Sequence, residues 1–159
     1  MFKEKYDVVV IGGGHAGVEA AHISSFLGSS VCLITMDQTA IARMSCNPAI
    51  GGLAKGQIVR EIDVLGGIMA ETADVSGIQF KTLNKSKGRA VWSPRAQIDK
   101  RIYEKNILNR IIKSPISIIQ SEAISVDIQN YRVKSVLLRS GEKIKCSCLV
   151  VTAGTFLSG

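Results

Sequence analysis

Three glycines, Gly12, Gly14 and Gly17, follow the apolar run Val8-Val9-Val10-Ile11 and lead into a stretch with alanines at 16, 20 and 21. At a strand-to-helix junction, this spacing suits the holding of a dinucleotide by its pyrophosphate. The first glycine permits the tight turn, the second lets the backbone approach the phosphates, and the third lets the helix pack closely on the strand. The helix N-terminus adds unpaired N–H groups and a partial positive charge. Gly12, Gly13, Gly14, His15, Ala16 and Gly17 are therefore the candidate cofactor-binding residues. A ligand-free glycine turn is the plain alternative, and the flanking strand and helix favour the dinucleotide. His15 opens the helix beside the phosphates, where it either sets the loop geometry or moves a proton.

Cys46 is the candidate catalytic residue, in Met44-Ser-Cys-Asn-Pro-Ala-Ile-Gly-Gly52. A thiolate there would be a nucleophile; a small thiol that only packs is the other reading, since no base or cation that would lower its pKa is visible. The other three of the four cysteines are Cys32, Cys146 and Cys148. Residues two apart on a strand share a face and are poorly placed to bridge each other. The Cys146-x-Cys148 spacing is also not that of a zinc or redox site. These three read as reduced structural thiols, and no metal site is expected.

These residues must be positioned by a β-α-β unit. Asp7–Ile11 reads as the first strand, Ala16–Leu27 as a helix stopped by Gly28, and Ser30–Thr35 as a second, buried strand. The alanines at 16, 20 and 21 are expected to face the sheet. Asp37, just past the second strand, either holds a ribose or caps a turn. The region from about 37 to 93 reads as an insertion of loops and short helices, with one helix near Gly56–Leu65. Ser93-Pro94 is a helix-start signal, which predicts a helix running to about Ile112. Its many Lys and Arg form either a solvated face or a surface for RNA or a partner. Strands follow at Ile116–Gln120, Ala123–Gln129, Val133–Arg139 and Lys143–Thr152, with turns at Asn130-Tyr131 and Ser140-Gly141. The last three make a three-stranded meander. A chain that stops just after a core strand predicts part of something longer.

The 159 residues suit one domain, and 46% hydrophobic content can fill its core. No apolar run is long enough to cross a bilayer, and Met1-Phe-Lys-Glu-Lys5 leads straight into the first strand. A cytoplasmic protein with no membrane attachment is expected. The formal charge of +7 points to an anionic partner, with nucleic acid the main candidate, although 5% aromatic content makes no stacking platform evident.

An early insertion, a meander and a closing apolar strand before Thr152-Ala-Gly154 resemble the flavin version of the dinucleotide fold. The agreement then becomes specific. Gly12–Gly17, Met44–Gly52, Lys55-Gly56, Glu61-Ile-Asp-x-Leu-Gly-Gly67, Gly77–Phe80, Ser86–Gly88, Arg95-Ala-Gln97 and Gly154–Leu157 resemble the N-terminal part of the MnmG/GidA family of tRNA wobble-uridine modifying flavoenzymes, over essentially the whole chain. One departure is Gly88-Arg89, where the family usually has Pro after the glycine.

The resemblance implies a Rossmann-like α/β FAD/NAD(P)-binding domain, incomplete at its C-terminus, with the rest of the enzyme absent. It implies that Gly12–Gly17 cradle FAD, that the Ile124 backbone meets the adenine, and that the Cys46 loop lies near the flavin. It further implies a reaction with the GTPase MnmE that adds an aminomethyl or carboxymethylaminomethyl group to carbon 5 of the wobble uridine of tRNA. Methylene-tetrahydrofolate would supply the carbon, NADH the reducing power, and the full-length protein would be a homodimer. The fragment alone is expected to be inactive. Two alternatives stand beside this: an FAD- and folate-dependent tRNA uridine methyltransferase, and a truncated dinucleotide-binding module without turnover.

Overall fold

Four consecutive β-branched residues, Val8 to Ile11, stiffen the chain into the first strand, β1 (Lys5–Ile11). The glycine turn leads into α1 (His15–Phe26). Helix α1 closes in a Schellman motif: Gly28 takes φ +90°, its N–H donates to the Ser25 carbonyl at 3.0 Å, and the Ser29 N–H donates to Ser24 at 3.1 Å. The face of α1 that packs carries Gly17, Val18 and Ala21, whereas Ala16 is exposed and Ala20 half-buried. A helical period from Gly17 selects 18 and 21, so the expected Ala16–Ala20 stripe lies to one side. Strand β2 (Val31–Thr35) is buried along its whole length and runs parallel to β1. The Asp7 carboxylate fixes the entry to the pair, accepting from the Ser30 N–H at 2.8 Å and its hydroxyl at 2.6 Å.

The structure, a computed structural model, describes residues 5–45, 47–155 and 157. It divides into two compact units, Met1–Arg43 with Leu108–Gly159, and Met44–Ile107. The second unit contains β3 (Ala49–Gly51), α2 (Lys55–Val64), α3 (Met69–Ser76), β4 (Gly77–Leu83) and β5 (Ser93–Ile98). Its strands form an antiparallel sheet in the order β3-β5-β4. Two findings here depart from the sequence expectation. The region is not only loops and short helices, and Ser93-Pro94 opens a strand rather than a helix. A residue before proline favours extended backbone. Pro94 pairs with Thr82 on β4 but lies beyond the end of the β3 ladder, where its missing N–H costs no strand bond. The helix begins later as α4 (Lys100–Lys113), with Asp99 as its cap. The Asp99 carboxylate accepts from the Arg101 and Ile102 N–H groups at 2.9 and 3.1 Å. The buried side of α4 is Tyr103, Ile107 and Ile111, while Ile102 and Ile112 stand exposed.

The remaining strands are β6 (Ser117–Gln120), β7 (Ala123–Gln129), β8 (Arg132–Leu138) and β9 (Lys143–Val151), close to the expected boundaries. They complete a six-stranded sheet in the order β6-β2-β1-β9-β8-β7. Strands β6, β2, β1 and β9 are mutually parallel, and β9-β8-β7 is the antiparallel meander. Strand β9 serves both halves, as third strand of the meander and parallel neighbour of β1. The first unit is centred on Tyr6, Val9, Cys32, Ile34, Ile119, Val136, Leu138, Ile144 and Cys146. Cys32 and Cys146 are buried free thiols and Cys148 is an exposed one. Burial, reinforced by the Glu142 carboxylate and Cys146, pushes the Cys32 thiol up to about 12.

The β7–β8 hairpin turns on Asn130 and Tyr131, both at positive φ (51° and 59°). This is the backbone of a type I′ turn, for which glycine is the favoured second residue. Tyr131 is fully exposed and gains nothing from packing. Tyr131→Gly is therefore expected to stabilise the fold by about 1 kcal/mol, the scale of the left-handed backbone cost, read as a higher thermal midpoint with an unchanged circular dichroism spectrum.

Candidate functional site

At the C-terminal end of β1 the glycines separate by task. Gly12 has φ +107°, and a Cβ there would sit 2.5 Å from the Thr152 carbonyl oxygen. A Cβ on Gly17 would run into the Gly12 carbonyl, and one on Gly13 would lie 2.9 Å from Thr35 Oγ1 and 3.2 Å from Ile41. These three positions are closed by the protein itself. Gly14 differs: its φ of −71° suits any residue, and a Cβ there would meet nothing within 4 Å. The first glycine makes the turn, the third lets the helix close on it, and the middle one faces open space.

Gly14 is also the N-cap of α1, and it has no side chain to satisfy the first-turn donors. The Val18 N–H makes the first helical bond, to the Gly14 carbonyl at 2.9 Å. The backbone N–H groups of Ala16 and Gly17 belong to the turn before that bond, where an α-helix offers no internal acceptor. A pyrophosphate suits this arrangement, because the open space above Gly14 adjoins helix-terminal donors and the positive end of the dipole. His15 is half-buried and Ala16 exposed at this mouth.

Side chains distant in sequence brace the turn. The Thr152 hydroxyl donates to the Ile11 carbonyl at 2.8 Å and lies 3.2 Å from the Gly12 oxygen. The Thr152 N–H also reaches the Ile11 carbonyl at 2.8 Å. On the other side the segment after β2 folds back, and the Ala42 N–H donates to the Gly13 carbonyl at 2.8 Å, with Ile41 buried beneath. Ile41 and Ala42 carry no sequence signal for this role, and Thr152 stands out only at the end of the closing strand, without showing which strand it pairs with.

Asp37 takes the capping geometry. Its carboxylate accepts from the Thr39 N–H at 2.8 Å and hydroxyl at 2.6 Å, and pairs with Arg43 at 3.4 Å. Those hydrogen bonds, with Arg43 adding, hold its carboxyl below the usual range. Ile124 lies near the start of β7, an outer strand of the sheet. The ladder to β8 pairs Ala123 with Leu138 and Ser125 with Leu137, so Ile124 is passed over in a bulge. Strand β7 follows a corner where the Ser121 N–H donates to the carbonyl of Thr35, at the end of β2. Cys46 lies outside the described residues. Among the described residues no cluster of His, Cys, Asp and Glu is arranged to hold a metal.

A parallel sheet with a β-α-β glycine turn and a meander returning beside β1 is a Rossmann-like FAD/NAD(P)-binding fold. A sequence profile of the family described as glucose inhibited division protein A matches residues 7–159. The chain belongs to this family. It is 49% identical to the tRNA uridine 5-carboxymethylaminomethyl modification enzyme MnmG of Buchnera aphidicola subsp. Cinara cedri, an alignment taking in 99% of this chain and 25% of the relative. With the enzyme of the same name from Bacteroides thetaiotaomicron the identity is 51%, over 98% of this chain and 25% of the relative. A crystal structure of Aquifex aeolicus GidA superposes with a TM-score of 0.92 at 47% identity, covering 96% of this chain and 26% of that one. The chain thus spans about a quarter of the length of these relatives.

Two outcomes follow. Thr152→Val, which keeps the shape but removes the hydroxyl, should cost about 1 kcal/mol of stability in denaturant unfolding. A thiol reagent at pH 8, followed by mass spectrometry of the folded chain, should label Cys148 quickly and spare Cys32 until the chain unfolds.

Proposed function

We propose that this chain is the FAD-holding N-terminal part of a tRNA-modifying flavoenzyme. The carrying observation is the open space above Gly14 at the uncapped start of α1, in a chain whose relatives are named as tRNA uridine modification enzymes. In this reading the backbone from Gly12 to Gly17 holds the FAD pyrophosphate, with His15 and Ala16 at its rim. The bulged backbone at Ile124 meets the adenine. Asp37 shapes the loop after β2, since its carboxylate is already engaged by Thr39 and Arg43. When bound, the flavin supplies reversible two-electron chemistry. Cys46 is the proposed nucleophile, whose thiolate adds to carbon 6 of the uracil and makes carbon 5 reactive. The complete protein would work in the cytoplasm as a homodimer with the GTPase MnmE, with methylene-tetrahydrofolate as carbon donor and NADH as reductant.

Gly14→Val tests the cradle with little risk to the fold, because the new side chain enters open space at an ordinary backbone angle. The variant should match the flavin-free parent in circular dichroism and thermal midpoint and carry no flavin absorbance. A folded Gly14→Val protein holding stoichiometric flavin would sink the assignment. A parent chain that binds ADP but never FAD would point instead to a nucleotide-binding module.

A further inference from the structure

The second unit has a groove of about 670 Å³ between α2, α3 and its small sheet. Arg60, Lys81, Lys85 and Arg95 line it, against the carboxylates of Asp63 and Asp74. Lys81 stands directly opposite Arg95 in the β4–β5 ladder, and like charges facing across strands destabilise a sheet. Among the described residues no ion pair joins any of these six groups to a partner. The excess of cations is therefore not neutralised within the unit, and an external anion would relieve it.

Aromatic rings are interleaved with this charge. Phe80 lines the groove and is 58% exposed. Trp92, 40% exposed, donates its indole N–H to the Lys85 carbonyl at 3.2 Å and has the Arg89 guanidinium 5.8 Å from its ring centre. In the β4–β5 pairing Phe80 lies opposite Ala96, four positions along the chain from Trp92. At a strand rise of roughly 3.3 Å per residue the two sites are offset by about 13 Å along the strand direction, within reach of a short single strand. Low aromatic content made a stacking platform hard to see in the sequence, yet the fold sets both rings in the open among cations.

We propose that this groove, with Trp92 just outside its lining, docks a single-stranded segment of RNA, with phosphates on Arg60, Lys81, Lys85 and Arg95 and bases stacked on Phe80 and Trp92. Stacking on aromatic rings beside a cationic track is how sequence-tolerant single-strand binding works. Asp63 and Asp74 would accept hydrogen bonds from base N–H groups. The proposal rests on the reading of tRNA as substrate and adds a docking surface in a different unit from the glycine turn.

The test uses the protein at its natural full length and a fluorescein-labelled decauridylate, followed by anisotropy across a salt series, with flavin absorbance recorded for every variant. Lys81→Gln with Arg95→Gln should weaken binding at least tenfold and flatten the salt slope by roughly 1.4, since each single-strand phosphate contact contributes about 0.7. Phe80→Ala and Trp92→Ala should each cost about tenfold and leave the salt slope unchanged. Single Lys81→Gln and Phe80→Ala variants, checked by circular dichroism, keep the test readable if a double variant misfolds. Unchanged affinity and slope in folded variants would overturn the groove. Loss of flavin from the parent with RNA binding intact would overturn the cofactor reading and leave the groove standing.

Discussion

The close approach of Thr152 to the glycine turn organises the first unit. Its hydroxyl and N–H both converge on the Ile11 carbonyl, and its own carbonyl closes the space beside Gly12. A turn of this kind has few internal bonds, so without a brace its backbone would sample many shapes. Pinned on one side by Thr152 and on the other by the Ala42 N–H, it presents α1 at a fixed angle. The glycines permit this conformation; the neighbouring backbone enforces it. That division of labour explains why a Cβ collides at three of the four glycines, while at Gly14 it finds empty space.

Features written in adjacent residues were legible in the sequence. The β-branched run of β1, the glycine that stops α1 and the turns of the meander each depend on neighbours in the chain, and their boundaries agree within a residue or two. What escaped reading depends on distant partners. Ser93-Pro94 satisfies the local rule for a helix start, but pairing with β4 overrides it and moves the start to Asp99. The small sheet of the second unit uses strands as short as Ala49–Gly51, too brief for any alternation to show. Asp37 was ambiguous because a ribose contact and a turn cap both suit an acid after β2; Thr39 and Arg43 decide its geometry.

The cysteines show the same contrast in chemical terms. Cys32 lies in the core, where burial disfavours a thiolate, and its thiol is correspondingly inert. Cys146, two residues from the exposed Cys148, is buried and raised for the same reason, with the neighbouring thiol adding and Lys5 opposing. Identical residue types two apart on one strand thus differ in exposure. Solvation also separates the two proposed sites: the glycine turn would act through backbone dipoles at a helix end, and the groove of the second unit through solvated full charges.

The first unit is discontinuous, made of 1–43 and 108–159 with the second unit spliced between. Thr152 and Ile11 are separated by 141 positions. During synthesis, β1, α1 and β2 therefore leave the ribosome long before the strand that completes their sheet, and β1 waits with one edge unpaired while the second unit is made. The most local motif in the sequence is thus among the last features to reach its working shape, and the maturation of the turn is timed by chain length rather than by its own six residues.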